Sequence, residues 1–146
     1  MELLHRGDRA WTSLTSLPTT TARLSATLIG EHIYIMANKE HSFFISLADV
    51  LANKKSLPRL KYQPLPPFPP TVSIFAPSSC SLGGQLVIVA TDGTIYQLLH
   101  GKWEECGHLS GGNRRLCLLA STSNTMVAVG RYGYGDIDIV DVCIVV

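Results

Sequence analysis

Charged residues are scarce in this chain, and neither sign prevails. They make up 16% of the 146 residues, and 12 lysines and arginines nearly balance 11 aspartates and glutamates, for a formal net charge of +1. Such a chain has no strong overall field that would attract phosphate backbones or anionic membranes, so we expect neither nucleic acid nor membrane among its partners. Hydrophobic residues account for 46% of the chain, which is enough to bury the core of about one domain.

Long apolar runs and targeting signals are also missing. Every apolar stretch is interrupted before the roughly 18 residues that a membrane-spanning helix needs, and the start of the chain lacks the ordered regions of a secretory signal. The cysteines form neither a C-x-x-C pair nor a clustered pattern; they are Cys80, Cys106, Cys117 and Cys143. We therefore expect a cytoplasmic protein with ordinary thiols, without a zinc site or a disulfide framework.

The motifs that carry enzyme chemistry are absent: the sequence has no G-x-S-x-G elbow, H-E-x-x-H helix, Walker loop or dinucleotide fingerprint. The spaced glycines of residues 130–135 are interpreted as a loop, because they lead into a strand and not into a phosphate-binding helix. Asp136, Asp138 and Asp141 fit a solvated strand face better than a calcium site, since the first two lie on one face. The five histidines are scattered. The sequence thus predicts no catalytic residue, metal or cofactor.

What the sequence does contain is an internal repeat. Three aromatic anchors, Trp11, Tyr62 and Trp103, lie 51 and 41 residues apart. Each is followed by a turn and two strand-like runs, and the second run ends at a small residue. A repeat of some tens of residues indicates one supersecondary unit that is used several times.

The second unit carries the clearest strand signals. Asp92 and Gly93 separate two β-branched runs, and this dipeptide is typical of a tight hairpin. A second turn is predicted at residues 100–102. The result is an antiparallel meander with predicted strands at residues 79–82, 86–90, 94–99 and 103–108. A lone sheet of this kind would leave an apolar face in water, so the repeats must pack on one another.

The first unit is longer because it contains a predicted short helix at about residues 46–55. Ser46 is positioned to cap this helix, and Asp49 lies in its first turn. Leu47, Val50 and Leu51 are expected to share a face, and the lysines fall at the carboxyl end of the helix. We interpret the helix as an insertion into the repeat.

These repeats resemble those of kelch-type β-propellers. The resemblance covers residues 11–142 and rests on the recurring order of aromatic residue, leucine, arginine, two strands and small residue. Arg23 follows Leu17 by six residues, Arg115 follows Leu109 by six, and Thr71 takes that place in the second unit. The usual glycine doublet after the second strand is absent. The resemblance implies an all-β chain, a partial propeller of about three four-stranded blades at residues 25–65, 78–108 and 115–146.

The resemblance also suggests how the last blade is completed. Residues 136–142 look like its third strand, and an N-terminal strand at residues 10–15 is expected to supply the fourth. Three blades are fewer than the usual 4–8 of a closed propeller. The chain is therefore a part of a longer propeller, one half of a homodimeric ring, or an open stack.

A proline-rich stretch at residues 62–70 is stiffened toward polyproline II. We interpret it as a rigid crossover between two blades, with a ligand for aromatic grooves as the alternative. Trp11 and Trp103 are expected to pack between blades.

Partner binding is expected on the loops of one propeller face. These loops lie at residues 19–23, 66–71 and 110–115, which enter the repeats, and at residues 38–41, 91–93 and 131–135. Arginine and tyrosine, the types enriched at interface hot spots, mark the predicted contact residues: Arg23, Arg114, Arg115, Arg131, Tyr132 and Tyr134.

The resemblance implies a non-catalytic protein–protein interaction module. The alternatives are a fragment related to kelch-containing carbohydrate or small-molecule oxidases, which would need a converging copper set of tyrosine, histidine and cysteine, and a degenerate structural remnant without a partner.

Overall fold

A computed structural model describes residues 2–3, 12–13, 24–37, 41–52, 61–70, 72, 78–90, 92–109, 114–134 and 137–145; of residues 2–3, 12–13, 114–118, 130–134 and 137–145 it describes the backbone. This part of the chain is mostly strand with one short helix. The elements are β1 (Glu2–Leu3), β2 (Thr12–Ser13), β3 (Ser25–Ile29), β4 (His32–Met36), β5 (Phe43–Ser46), α1 (Leu47–Ala52), β6 (Gln63–Pro64), β7 (Ser79–Leu82), β8 (Gln85–Val89), β9 (Thr94–Leu99), β10 (Lys102–His108), β11 (Arg114–Ser121), β12 (Met126–Tyr134) and β13 (Ile137–Val145).

The strands form three antiparallel meanders and one small ribbon. Sheet 1 has the order β3-β4-β5-β6, sheet 2 the order β7-β8-β9-β10, and sheet 3 the order β11-β12-β13. The ribbon pairs β1 with β2. The prediction of antiparallel four-stranded sheets with one short helix is confirmed for sheets 1 and 2. The described sheets do not form a closed ring.

Sheet 2 begins and ends its strands within one residue of the predicted positions. Its two tight hairpins need a left-handed backbone: Gly83 and Gly84 have φ of 58° and 75°, and His100 and Gly101 have φ of 48° and 76°. Positive φ at both central residues is the type I′ geometry that matches the twist of the flanking strands. Local turn chemistry therefore sets the register of this sheet.

The outer strands of sheets 1 and 2 are poor templates for further pairing. The outer strand of sheet 1, β6, has only two residues, and one of them is Pro64. The outer strand of sheet 2, β10, exposes Lys102, Glu104 and Glu105, and its register shifts at a bulge between Glu105 and Gly107. Short length, proline, charge and bulges all blunt the edge of a sheet.

Helix α1 follows β5 directly. The Ser46 hydroxyl accepts a hydrogen bond from the Asp49 amide at 3.4 Å, which is the predicted cap. Val50 is 3% exposed and packs with Ile35 and Phe43 on one face of sheet 1. Val50 is the buried residue of the helix, whereas Leu51 is 41% exposed.

The three sheets stack face to face around two apolar clusters. Between sheets 1 and 2, Met36 packs with Leu86 and Ile88. Between sheets 2 and 3, Val87 packs with Met126 and Ala128, and Cys80 lies in the same cluster. Sheet 2 is covered on both faces, so every residue of β8 after Gln85 is buried. This packing satisfies the requirement that the repeats bury their faces on one another.

The first strands of the sheets lie side by side. The first strand of sheet 2, β7, contacts β3 on one side and β11 on the other. The Ser79 hydroxyl lies 2.7 Å from the Thr27 hydroxyl and 3.1 Å from that of Ser25. At the opposite ends of the strands, the Gly83 amide donates to the Ser123 carbonyl at 2.7 Å. These contacts align sheet 2 with sheet 1 at the start of β7 and with sheet 3 just after the end of β7.

Two sequence predictions are wrong in this part of the chain. Residues 130–134 belong to β12, which pairs with β13 over nine consecutive positions, and do not form a loop. The N-terminal strand Thr12–Ser13 pairs with Glu2–Leu3 and not with β13. Strand pairing decides both outcomes, and the composition of each segment by itself carries little information about its pairing partner.

The proline-rich segment is a packed crossover between sheets 1 and 2, as predicted. Phe68 is 7% exposed, and its ring centroid lies 5.5 Å from that of Trp103. The Trp103 indole Nε1 donates to the Pro66 carbonyl at 3.1 Å. Trp103 thus holds the crossover against the outer strand of sheet 2, and it packs between two sheets as expected.

We predict that Phe68→Ala lowers the free energy of unfolding by about 3–5 kcal/mol, because it leaves a cavity between sheets 1 and 2. The half-buried Phe44 provides the matched control, and Phe44→Ala is expected to cost about 1 kcal/mol. Urea denaturation followed by tryptophan fluorescence measures both. Equal losses for the two variants would show that the crossover does not contribute to the core.

Candidate partner-binding face

Five of the six predicted contact residues lie at one end of the stacked sheets, and the sixth, Arg23, is outside the described residues. At this end, called the entry edge, the first strand of each sheet begins and its second strand ends. The entry edge comprises the connections β4–β5, β8–β9 and β12–β13 and the starts of β3, β7 and β11. The tight hairpins at Gly30, Gly83 and Gly101 lie at the opposite end. Antiparallel meanders place these two sets of connections at opposite ends of every sheet.

The entry edge of sheet 2 is held by a network of short hydrogen bonds. The Ala90 amide donates to the Thr94 carbonyl at 2.8 Å, and the Gly93 amide donates to the Ala90 carbonyl at 3.0 Å. The Asp92 carboxylate accepts from the Thr94 amide at 2.9 Å. This side-chain bond is the Asx-type contact that favours aspartate in turns. The connection predicted at Asp92 and Gly93 is therefore a fixed turn.

Gly93 also anchors the end of the outer strand. Its carbonyl accepts from the Leu109 amide at 2.8 Å, and its φ is 96°. A Cβ at this position would lie 2.8 Å from the Leu109 carbonyl oxygen and 3.3 Å from the His108 ring. Only glycine fits such a close approach of two backbone segments. The contact fixes the point from which the chain leaves sheet 2 toward Arg114.

The entry edge of sheet 1 is tied in a comparable way. The Ser42 hydroxyl accepts from the Ala37 amide at 3.1 Å, which holds together the two ends of the β4–β5 connection. The Ser42 carbonyl accepts from the Leu65 amide at 2.9 Å, where the crossover begins. Further along the crossover, the Val72 amide donates to the Pro69 carbonyl at 3.0 Å. Residues 38–40 and 19–23, which include Arg23, lie outside the described residues.

Sheet 3 brings five of the six predicted contact residues to one end of a strand pair. Arg114 stands opposite Tyr132, and Arg131 stands opposite Leu116. Arg115 lies at the register shift between them, where β11 carries one extra residue. Tyr134 is the last residue of β12 and pairs with Ile137. The expected convergence of arginine and tyrosine therefore holds for the backbone positions of β11 and β12.

The conformation predicted for these residues is wrong. Arg114 and Arg115 were expected in the 110–115 loop, and Arg131, Tyr132 and Tyr134 in the 131–135 loop, but all five lie in strands. Pairing of β12 with β13 extends the sheet across the glycines that indicated a loop. The candidate face is therefore the end of a sheet, which is a stiffer platform than a set of loops.

Alternation along β12 divides its residues between two faces. Tyr132 and Tyr134 continue the alternate positions of Met126 and Ala128, which are buried against sheet 2. Arg131 occupies the intervening position. The extra residue at Arg115 changes which positions of β11 share a face before and after the bulge. One strand end thus offers tyrosine positions on one face and an arginine position on the other.

An aromatic cluster that was not predicted from the sequence lies toward the hairpin end of sheet 1, opposite the entry edge. The His32 ring lies edge-on to the Phe44 ring at a centroid distance of 5.3 Å, and Tyr34 stacks on Phe44 at 5.4 Å. All three side chains are half-buried. The signal was present in the alternation of β4 and β5, which places these rings on one face of adjacent strands.

The described side chains form no evident centre for a metal. Within them, no group of three or more histidine, cysteine, aspartate or glutamate side chains converges. Over the same residues, no helix has the length and apolar character needed to cross a membrane.

Two thiols have perturbed acidities. Burial raises the pKa of the Cys80 thiol, and a hydrogen bond with Ser121 partly offsets this rise. Burial also raises the pKa of the Cys106 thiol; its backbone hydrogen bond acts in the opposite direction, and the Glu105 carboxylate adds to the rise. The Cys106 thiol donates to the Ile95 carbonyl at 3.5 Å. A raised pKa lowers the thiolate fraction and with it the reactivity.

Comparison with known proteins finds a likeness in fold. No family model and no curated protein matches the sequence. The solved structure of YjhT resembles the chain with a TM-score of 0.57 at 14% sequence identity, over 90% of this chain and 48% of that one. The chain therefore spans about half the length of the solved chain that it resembles. At this identity the likeness concerns the fold alone, the arrangement of antiparallel sheets.

We predict that Gly93→Ala destabilises the protein more than Gly101→Ala. Both positions have positive φ, which costs about 1–2 kcal/mol for a residue with a Cβ. Gly101 has open space around it, whereas the Cβ at Gly93 displaces the Leu109 backbone and weakens a hydrogen bond of about 1 kcal/mol. Thermal unfolding by circular dichroism compares the two. Equal melting temperatures would mean that the contact between Gly93 and Leu109 is not fixed.

We predict that iodoacetamide modifies Cys106 before Cys80 in the folded protein, since Cys106 is exposed and Cys80 is buried. Because the pKa of Cys106 is raised, its rate should be below that of the unfolded chain at neutral pH and should increase as the pH rises. Mass spectrometry of the separate cysteine peptides measures each rate, with the chain in urea as the control. Faster modification of Cys80 would contradict the described packing.

Proposed function

We propose that this chain is a non-catalytic protein–protein interaction module of kelch-repeat type, which binds a protein partner at the entry edge of its sheets. The observation that carries the proposal is the β11–β12 pairing, which places Arg114 opposite Tyr132 and Arg131 opposite Leu116. Tyr134 and the bulge residue Arg115 complete the group. Arg23 belongs to the proposed face by its place in the repeat.

The residue types at this face suit a protein partner. Arginine provides five donors in a rigid fork, and tyrosine provides a large apolar surface with one polar group. Both are enriched where alanine substitution costs binding energy. Their positions on paired strands reduce the conformational entropy that a flexible loop would lose on binding. A compact group of such residues on a stiff platform therefore favours recognition of a folded protein surface.

The architecture supports the kelch assignment. Sheets 1 and 2 are four-stranded antiparallel meanders, their first strands are adjacent, and apolar clusters join consecutive sheets. These are the features that the repeat was expected to produce. The free thiols of Cys80 and Cys106 are in keeping with a cytoplasmic location.

The proposal is tested with the double variant Arg115→Ala/Arg131→Ala. The immobilised wild-type chain captures binding proteins from a cell extract, and the affinity of each recovered protein is then measured with purified components. We expect the affinity of the double variant for the specific partner to be lower by a factor of ten or more, because one hot-spot arginine contributes about 1–3 kcal/mol of binding free energy.

The matched control is Lys61→Ala/Lys102→Ala. It removes the same charge from two exposed residues that lie toward the hairpin end of sheets 1 and 2. The control should bind like the wild-type chain. If both double variants weaken binding equally, net charge and not the proposed face is responsible. If neither changes the affinity, the site assignment is wrong.

A further inference from the structure

Each sheet of the stack has two different apolar faces, and β8 shows both of them. Leu86 and Ile88 face sheet 1 and pack with Met36. Val87 and Val89, at the intervening positions, face sheet 3. We call the side of a sheet that is turned toward the preceding repeat its leading face, and the opposite side its trailing face.

The same pairing of faces occurs twice in the described residues. Leu86 and Ile88 on the leading face of sheet 2 meet Met36 on the trailing face of sheet 1. Met126 and Ala128 on the leading face of sheet 3 meet the trailing face of sheet 2. The stack is therefore built from one repeated type of contact, in which a leading face covers a trailing face.

The leading face of sheet 1 has no partner sheet among the described residues. Its outer part is covered by Val50, which packs with Ile35 and Ile45. Its inner part, along β3, exposes a row of apolar residues: Leu24 and Leu28 are 44% and 56% exposed. Leu24 directly precedes β3 and lies four residues before Leu28, and this even spacing places both on the same side of the extended chain.

The trailing face of sheet 3 is also apolar and uncovered by a described sheet. Val127 and Val129 are half-buried at the positions that alternate with Met126 and Ala128, and Ala120 stands opposite Val127 and is exposed. Among the described residues, the stack therefore has an uncovered leading face on sheet 1 and an uncovered trailing face on sheet 3. These are the two kinds of face that already pack on each other within the chain.

We propose that two copies of this chain associate so that the trailing face of sheet 3 in each copy covers the inner part of the leading face of sheet 1, along β3, in the other. A second copy is the occupant that offers both complementary faces at once. The chain also spans 48% of the solved chain that it resembles, so two copies supply about the same length as that fold. A twofold axis makes the two contacts equivalent and closes the assembly.

This inference does not depend on the proposed partner, and its test uses the purified chain alone. Light scattering coupled to size-exclusion chromatography should give twice the mass of one chain, and small-angle X-ray scattering should give a compact particle. Leu28→Asp introduces a charge into the free leading face and should reduce the mass to that of a single chain. Far-UV circular dichroism shows whether the variant remains folded.

Leu51→Asp is the matched control. Leu51 is also an exposed leucine, but it lies on α1 and outside the inner row of β3, so this variant should keep the doubled mass. Ala120→Asp introduces a charge at an exposed position on the trailing face of sheet 3, which is the opposite side of the same contact, and should also give single chains. If Leu28→Asp fails to fold, this second variant tests the proposed contact.

Three outcomes would overturn the proposal. A wild-type chain that remains single at high concentration excludes the association. A doubled mass that persists in Leu28→Asp and Ala120→Asp places the contact elsewhere. A mass that grows with concentration beyond two copies shows an open stack, because unclosed head-to-tail contacts repeat without limit.

Discussion

Burial of both faces of sheet 2 is the constraint on which this structure depends. Strand β8 is apolar at consecutive positions, so no single neighbour can cover it, and sheet 2 is stable only between two other sheets. The clusters around Met36 and Met126 are therefore parts of one arrangement. Fixed turns and the Ser79 hydroxyl contacts align the sheets, but the apolar area removed from water provides the driving force.

The sequence predicted the fold best where turn chemistry is local. Asp92, Gly93 and the paired glycines between β7 and β8 determine where the strands of sheet 2 begin and end, and these strands were located within one residue. The helix cap at Ser46 was likewise visible, because capping involves neighbours along the chain. The length of β12 was not predictable in this way. Its glycines and tyrosines have loop-like composition, and pairing with the next strand, β13, holds them in a strand.

The candidate face likewise combines features that the sequence predicted with features that it did not. Residue type alone led to the prediction that these arginines and tyrosines contact a partner, and the pairing of Arg114 with Tyr132 brings two of these positions together. Neighbouring glycines indicated a loop for Arg131, Tyr132 and Tyr134, and the register shift at Arg115 could not be anticipated from the sequence. A bulge depends on how two strands align, and this is decided only when both are in place. Residue chemistry was therefore readable from the sequence, while the platform that carries it was not.

The blunted outer strands of sheets 1 and 2 have a consequence for how the protein behaves at high concentration. A two-residue strand that contains Pro64 and a charged, bulged strand at Lys102–His108 cannot template the addition of foreign strands. The rim formed by these two sheets is thereby protected from the cross-β growth that long, flat and uncharged edges permit. Along this rim, recognition of another molecule is left to side chains and not to the addition of a strand.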